Sequence, residues 1–598
     1  MNRTRAHSIG RVSAVSYNWM SFEVSDFSSL QYNFNGQLHT VNGVIDYVVV
    51  PSKFNEIFLY QIIKIEDKKE RPLTSDETAK FEHVGLFHCV PIGILKDNHA
   101  EFNFTRYPSL QDEVYLADNM DLDLVFPIKS YSESIHLGTM NKENSVYVNM
   151  NSLLTHHTAI LGNTGSGKST TIRRILVQSL NKNSSNLKIL LFDTHGEYTF
   201  IQPARQINVS QERGIKLSDL NFQDWINLVK PSDLVQLPIL EMALRISNAI
   251  SSDTLNKDAF NCYIALTLYM SQQTDAAAKR VKICSLLNNV EGSSDHLKNY
   301  DSKFGNFSSN DEKNFQKWLN SKIGDFNISV LQNSSISENC AVNSFTDLLT
   351  GLEYAFLLEE SKGNSQARAF SKTLETRIRY ISNRYSALFK ESLPKHTRAE
   401  IPNNTNAAHP DFNPKILSQY TEKIIIFNLQ DLDDDLLLFF TSFILKHYLE
   451  YKRSTQDKSV TIFLLEEAHR YICVSNKDTQ LHELEVFKTA AREGRKFGCF
   501  LLISSQRPSE LSGTVLSQCD NYIIHRIKNN FDLDYLAKTI PYVTKDQLVR
   551  VSFLPTGTAF IVGELFPVPV EVSIAYESDI DNSQTPQIIF NPYNDRPF

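Results

Sequence analysis

The most specific chemistry in this chain lies in Gly162-Asn-Thr-Gly165-Ser-Gly167-Lys168-Ser169-Thr170, which fits G-x-x-x-x-G-K-[ST]. Glycines let the backbone curl until successive N–H groups point at phosphate oxygens, and a following helix adds the positive end of its dipole. In such a loop Gly162, Asn163, Thr164, Gly165, Ser166 and Gly167 wrap the phosphates, with Thr170 closing the stretch. Lys168 would reach the β- and γ-phosphates, and Ser169 would hold Mg²⁺. The loop must sit between a strand and a helix. Thr158-Ala-Ile-Leu161 reads as a buried strand, and Thr171 to Leu180 reads as an amphipathic helix with Ile172, Ile175, Leu176 and Leu180 on one face.

Other candidate groups stand at the ends of apolar runs. Val460 to Leu465 delivers Glu466-Glu467-Ala468-His469. A buried strand ending in two carboxylates is expensive unless something uses the charge. One carboxylate can join a Mg²⁺ shell while the other orients or deprotonates a water; the alternative is a solvated pair opening a helix. Leu191-Phe-Asp193-Thr-His195-Gly-Glu197-Tyr198 brings Asp193, His195 and Glu197 to the same sheet edge as the glycine loop, unless this is a turn whose Asp193 caps a helix. Phe500 to Ser505 ends in Gln506-Arg507-Pro508, where an amide can sense a γ-phosphate. Between these lies Lys488-Thr-Ala-Ala-Arg492-Glu-Gly-Arg495-Lys496. If it is helical, the four basic residues share a face and repel, which favours an anionic partner or an arginine finger reaching a neighbouring subunit. A solvated face balanced by Glu483, Glu485 and Glu493 is the plainer reading. Leu511-Ser-Gly-Thr514 looks like a transporter ATPase signature but follows the carboxylate strand instead of preceding it. His195 with Glu197 lacks a third metal ligand at helical spacing, and His469 reads as a structural loop residue.

The elements that must position these groups are legible in outline. The chain has 598 residues, 41% hydrophobic, enough for three or four domain-sized units. A net charge of −8 means that any nucleic-acid partner must meet a local basic surface. Seven scattered cysteines without a C-x-x-C pair fit a reducing cytosol, so a cytoplasmic location is expected. No apolar stretch follows the basic start, and the longest apolar run, Leu436 to Leu445, is too short to span a bilayer; no membrane partner is expected. Residues 1–135 hold short β-like runs, among them Gly43 to Val50, Ile57 to Ile63 and Gly85 to Ile92, and read as a small β-barrel or sandwich. Residues 136–204 carry the glycine loop and a buried strand, Leu187 to Asp193. Residues 205–418 lack strand runs and show helical periodicity at Leu240 to Ile250, Phe260 to Met270 and Phe370 to Phe389, an all-helical insertion. Residues 419–578 return to strand–helix alternation through Ile424 to Asn428, Val460 to Leu465 and Cys499 to Ser504, apolar on both faces as central parallel strands are. An extended tail is expected at 579–598. The fold class is α/β.

Taken in order, Gly162 to Ser169, Asp193-Thr-His-Gly-Glu-Tyr198, Glu466-Glu-Ala-His-Arg470, Ala491-Arg-Glu-Gly-Arg-Lys-Phe-Gly498 and Ser504-Ser-Gln-Arg-Pro-Ser509 closely resemble the HerA family of the HerA/FtsK ring ATPases. The approach Val148 to Leu161 and the final pair, Leu554 to Gly563 with Pro567 to Glu571, resemble it too. The resemblance implies a RecA-like core with a parallel-rich sheet, an N-terminal barrel and a helical insertion. It implies a homohexamer that hydrolyses ATP with Mg²⁺ and moves double-stranded DNA through its channel. The effector beside it would be a nuclease or a sirtuin-type NAD-degrading protein, as in anti-phage defence systems. A nucleotide-dependent scaffold that organises such an effector is the alternative. By the same resemblance Lys168 and Ser169 bind phosphate and Mg²⁺, Glu466 is the metal-side and Glu467 the catalytic carboxylate, Gln506 is the sensor, and Arg492 or Arg495 is the finger. Asp193 and Glu197 are expected to line the nucleotide site, and Arg470 and Lys477 are candidate pore residues. Relatives often carry Arg-His where this chain has His156-His157; any help that arginine gives hydrolysis in cis would be weakened or pH-dependent here.

Overall fold

Alternating apolar residues with turn signals between them build the described residues up to Leu116 into antiparallel strands, and one extra pairing closes them. The computed structural model describes residues 7–577 apart from several stretches, the longest being 70–82, 334–341, 392–411 and 474–480. The barrel order is Met20–Val24, Gly10–Val15, Glu113–Leu116, Tyr47–Pro51, Ile57–Lys69 and His83–Lys96, with Met20–Val24 pairing back onto His83–Lys96. His99–Glu101 adds a short hairpin to its rim. Register shifts at Val12/Ala14, Leu59/Tyr60 and Ile62/Lys64 supply the bends that closure needs. Val12, Phe22, Val48, Val50, Tyr60 and Phe87 fill the interior, with the Phe22 and Phe87 rings stacked 4.8 Å apart.

The second sheet has 11 strands. Asn521–Ile524, Thr158–Leu161, Cys499–Ser505, Val460–Leu465, Leu187–Asp193, Ile424–Asn428 and Arg205–Asn208 run parallel in that spatial order. Thr558–Gly563, Val570–Ile574, Ser134–Met140 and Asn144–Asn149 extend it antiparallel. The central parallel strands are buried on both faces, which is why they read as unbroken apolar runs. The helices Lys168–Leu180, Asp434–Thr455 and Leu481–Glu493 pack on this sheet. The long apolar run sits inside Asp434–Thr455, where Thr441 and Ser442 satisfy their hydroxyls on the Leu437 and Phe439 carbonyls. Among the described residues no helix is long and apolar enough to cross a membrane.

Residues 205–418 differ from the expectation at their two ends. Arg205–Asn208 is the edge strand of the central sheet, and Ile215–Lys216 pairs with Phe389–Lys390. Segments of four and two residues are too short for alternation to stand out from the background. The periodic stretch expected to run from Phe370 to Phe389 is a helix over Lys372–Arg384 only. Between these ends the described elements are helices, led by Gln236–Ser251, Lys257–Met270 and Phe345–Ser361. The tail expected at 579–598 and Lys477 lie outside the described residues.

Candidate functional site

The glycine loop leaves the carboxyl end of Thr158–Leu161 and enters the helix Lys168–Leu180. Gly162, Gly165 and Gly167 have φ of 153°, 70° and 118°. A Cβ on Gly167 would come within 3.0 Å of the Gly557 Cα, so both conformation and space demand glycine there. Thr164 and Gly165 face outward, with Asn163, Ser169 and Thr170 half-buried. Lys168 is 8% exposed, and its Nζ donates to the Asn163 carbonyl at 3.3 Å. Burial lowers its pKa, while Glu467, Glu466 and Glu197 pull it back up, so three carboxylates stand around this ammonium.

Those carboxylates follow Val460–Leu465 and Leu187–Asp193, the second and third strands along from the loop strand, with Cys499–Ser505 between. Glu466 is 4% exposed. Its Oε2 accepts the Thr194 N–H at 3.1 Å and its Oε1 accepts the Tyr198 hydroxyl at 3.2 Å. Tyr471 donates its hydroxyl to the Glu466 carbonyl at 2.6 Å. Burial, with Asp193 and Glu197 nearby, raises the Glu466 carboxyl well above the usual range, so the site is short of positive charge. Tyr198 is fully buried and also meets the Ser169 side chain, which joins the helix start to Glu466. Glu467 takes a left-handed backbone, φ 46° and ψ 47°, which is uncommon for a residue with a side chain and lets the chain turn sharply into Ala468–Arg470. Its Oε1 lies 4.0 Å from His195 Nε2 and its Oε2 lies 3.3 Å from His469 Nδ1. Gln506 accepts a hydrogen bond from the Thr164 hydroxyl, which ties the neighbouring strand end to the glycine loop.

Lys168, Ser169, Glu197, Glu466, Glu467 and Gln506 are thus brought to one edge, and three other candidates are placed differently. Asp193 is 0% exposed; its Oδ1 takes the N–H groups of His195, Gly196 and Glu197, and its Oδ2 takes that of Tyr198. It organises the turn that carries Tyr198 and Glu197 and has no free face for a nucleotide. Arg492 and Arg495 are exposed near the amino end of Cys499–Ser505, the edge opposite the glycine loop. Seven residues of strand put roughly 20 Å between that end and the loop, so neither arginine serves the site of its own chain. Nor do residues 488–496 form one helical face: the helix ends at Glu493 and Gly494–Phe497 is a 3₁₀ turn. His156 and His157 lie at the same far edge. His157 is buried and accepts the Leu501 N–H on Nδ1 at 2.9 Å, and burial pushes its pKa down to about 4. It is a neutral brace between two strands. Arg470 pairs with Asp434 at 2.6 Å, and Ser512 of the signature-like stretch donates its N–H to the Ile472 carbonyl.

His525 escaped the sequence reading. It is fully buried under the glycine loop, with Nε2 2.8 Å from the Thr171 hydroxyl and Nδ1 3.1 Å from the Thr558 carbonyl. Burial lowers its pKa to about 4, so it is neutral. A single histidine after an apolar strand offers no pattern that would reveal this.

Glycines at positive φ make a cradle, Lys168 supplies the cation, and the buried Oε2 atoms of Glu467 and Glu197 accept no hydrogen bond. Orphaned hard oxygen donors beside a lysine suit a polyphosphate with its divalent cation. A family model described as the central domain of helicase HerA matches residues 135–347. That span includes the glycine loop and the Asp193 turn and stops before Glu466. A probable helicase of Methanocaldococcus jannaschii is 23% identical over 495 residues, 81% of this chain and 78% of that protein. A second probable helicase of the same organism is 24% identical over 468 residues, 77% of this chain and 70% of that protein. A DNA double-strand break repair helicase HerA of Sulfolobus acidocaldarius is 34% identical over 162 residues, 25% of this chain and 31% of that protein.

Proposed function

We propose that this chain is a HerA-type P-loop ATPase that uses ATP hydrolysis to translocate double-stranded DNA as a homohexameric ring. The observation that carries this reading is the convergence of Lys168, Glu466, Glu467 and Gln506 from distant parts of the chain onto one sheet edge. Backbone N–H groups of Gly165, Gly167, Lys168 and Ser169 and the Lys168 ammonium hold the phosphates. Ser169 and Glu466 would hold the Mg²⁺ that arrives with ATP, which would supply positive charge at the γ-phosphate. Tyr198 orients Glu466 through its hydroxyl. Glu467 takes the proton of the attacking water, and Gln506, leaving Thr164, contacts the γ-phosphate.

Arg492 and Arg495 support the ring. Their distance from their own nucleotide site fits a finger supplied to a neighbouring subunit, where such a residue is worth about three to five orders of magnitude in rate. The test is Mg-ATP turnover with and without duplex DNA. Turnover is expected to rise with duplex and to vanish in Lys168→Ala. Glu467→Gln is expected to bind ATP without turning it over. Parent-like hydrolysis in both variants overturns the reading.

A further inference from the structure

His469 has no part in the hydrolysis described above, yet its surroundings give it one. It lies in the 3₁₀ turn Ala468–Arg470 directly after Glu467, and its side chain is 10% exposed. Nδ1 stands 3.3 Å from Glu467 Oε2 and 3.2 Å from the Ser505 hydroxyl. Ser505 ends the strand Cys499–Ser505, and its hydroxyl accepts the Arg507 N–H at 3.1 Å, bracketing Gln506. Gln506 in turn meets Thr164 of the glycine loop. One imidazole nitrogen therefore stands between the carboxylate that takes the proton and the strand end that carries the sensor amide. An Nδ1–H has two acceptors in reach, a carboxylate and a hydroxyl. Glu467 Oε2 accepts no well-formed hydrogen bond in this arrangement, so the carboxylate is not yet fixed on that side.

We propose that His469 is a positioning residue for Glu467, its Nδ1–H directing the carboxylate and Ser505 linking that direction to Gln506. When Gln506 leaves Thr164 for a γ-phosphate, Ser505 shifts with it and the Nδ1–H passes to Glu467 Oε2. The other carboxylate oxygen is then held toward the water. A small misplacement of a catalytic group is enough to lower turnover strongly.

This inference rests on the hydrolytic reading of the site, and the experiment separates the two. Parent turnover of Mg-ATP is measured first; its absence removes that reading. His469→Asn keeps a donor near the Nδ1 position, whereas His469→Gln places its donor near Nε2. His469→Gln is expected to lower kcat by about tenfold to a hundredfold, with KM and the affinity for a non-hydrolysable ATP analogue unmoved. His469→Asn is expected to restore kcat to several-fold above the Gln variant. Ser505→Ala added to His469→Gln is expected to cost no further turnover, because the two act through one path. With the parent active, equal loss in the Asn and Gln variants, a parallel fall in analogue affinity, or multiplied losses in the double variant overturns the proposal.

Discussion

Glu466 is gripped from three directions: by the Thr194 N–H, by the Tyr198 hydroxyl and, at its backbone, by Tyr471. Such partners fix the oxygen that a cation must find, and removing one typically costs about tenfold to a hundredfold in metal affinity or rate. Tyr198→Phe keeps the buried ring and deletes only the hydroxyl, so the fold is expected to persist. Its turnover should fall about tenfold, with a rightward shift in the Mg²⁺ concentration for half-maximal rate. Unchanged Mg²⁺ dependence would show that Tyr198 only packs. The ends of the apolar strands announced Glu466, Glu467 and Gln506, because charge or amide after a buried run is conspicuous. Tyr198 and His525 were silent, because an aromatic or a lone histidine beside apolar residues looks like core until its partners, 268 and 354 positions away, are seen.

At the scale of elements, two neutral histidines brace the strands around the nucleotide loop. His157 joins the start of Thr158–Leu161 to Leu501, and His525 supports the first turn of Lys168–Leu180. Each binds a proton less readily when folded, with a pKa near 4 against an ordinary 6.5. Above the ordinary value neither state is protonated and nothing is lost. As pH falls below it, the unfolded chain takes up protons that the folded chain refuses, so stability declines down to the folded value. The loss reaches at most about 3 kcal/mol for each histidine. The thermal midpoint is expected to drop between about pH 7 and about pH 5, and His157→Asn is expected to flatten that slope. A midpoint level across the window would remove the bracing role. Most of these elements were legible because the core strands are apolar on both faces and the helices keep their period. Arg205–Asn208 and the pair Ile215–Lys216 with Phe389–Lys390 were not, being too short for any period. The helix over Leu481–Glu493 stops early because Gly494 presses against the Cys499 carbonyl, where a Cβ would stand 2.5 Å away, a constraint set by the next strand.

For the whole molecule, the nucleotide loop and the exposed Arg492 and Arg495 occupy opposite edges of one sheet. A ring that joins those edges makes turnover per chain depend on protein concentration, and diluted monomers should hydrolyse ATP poorly. Mixing in chains carrying both Arg492→Ala and Arg495→Ala is expected to depress the parent's rate more than in proportion to their share. A strictly proportional fall would mean that each chain works alone. If Glu467→Gln rings still support an effector, the scaffold reading gains over the motor. The order of the sheet has a different consequence, for synthesis. Leu187–Asp193 and Arg205–Asn208 are separated by Ile424–Asn428, which pairs with both. The second of these strands therefore has no neighbour in the sheet until more than 200 further residues have left the ribosome. At 5–20 residues per second that wait is roughly ten to forty seconds. Through it, the apolar flank of Leu187–Asp193 lacks both of its partners, since Val460–Leu465 is made later still. The helical segment is thus also a delay line, and the nascent half-sheet is where a chaperone is most needed.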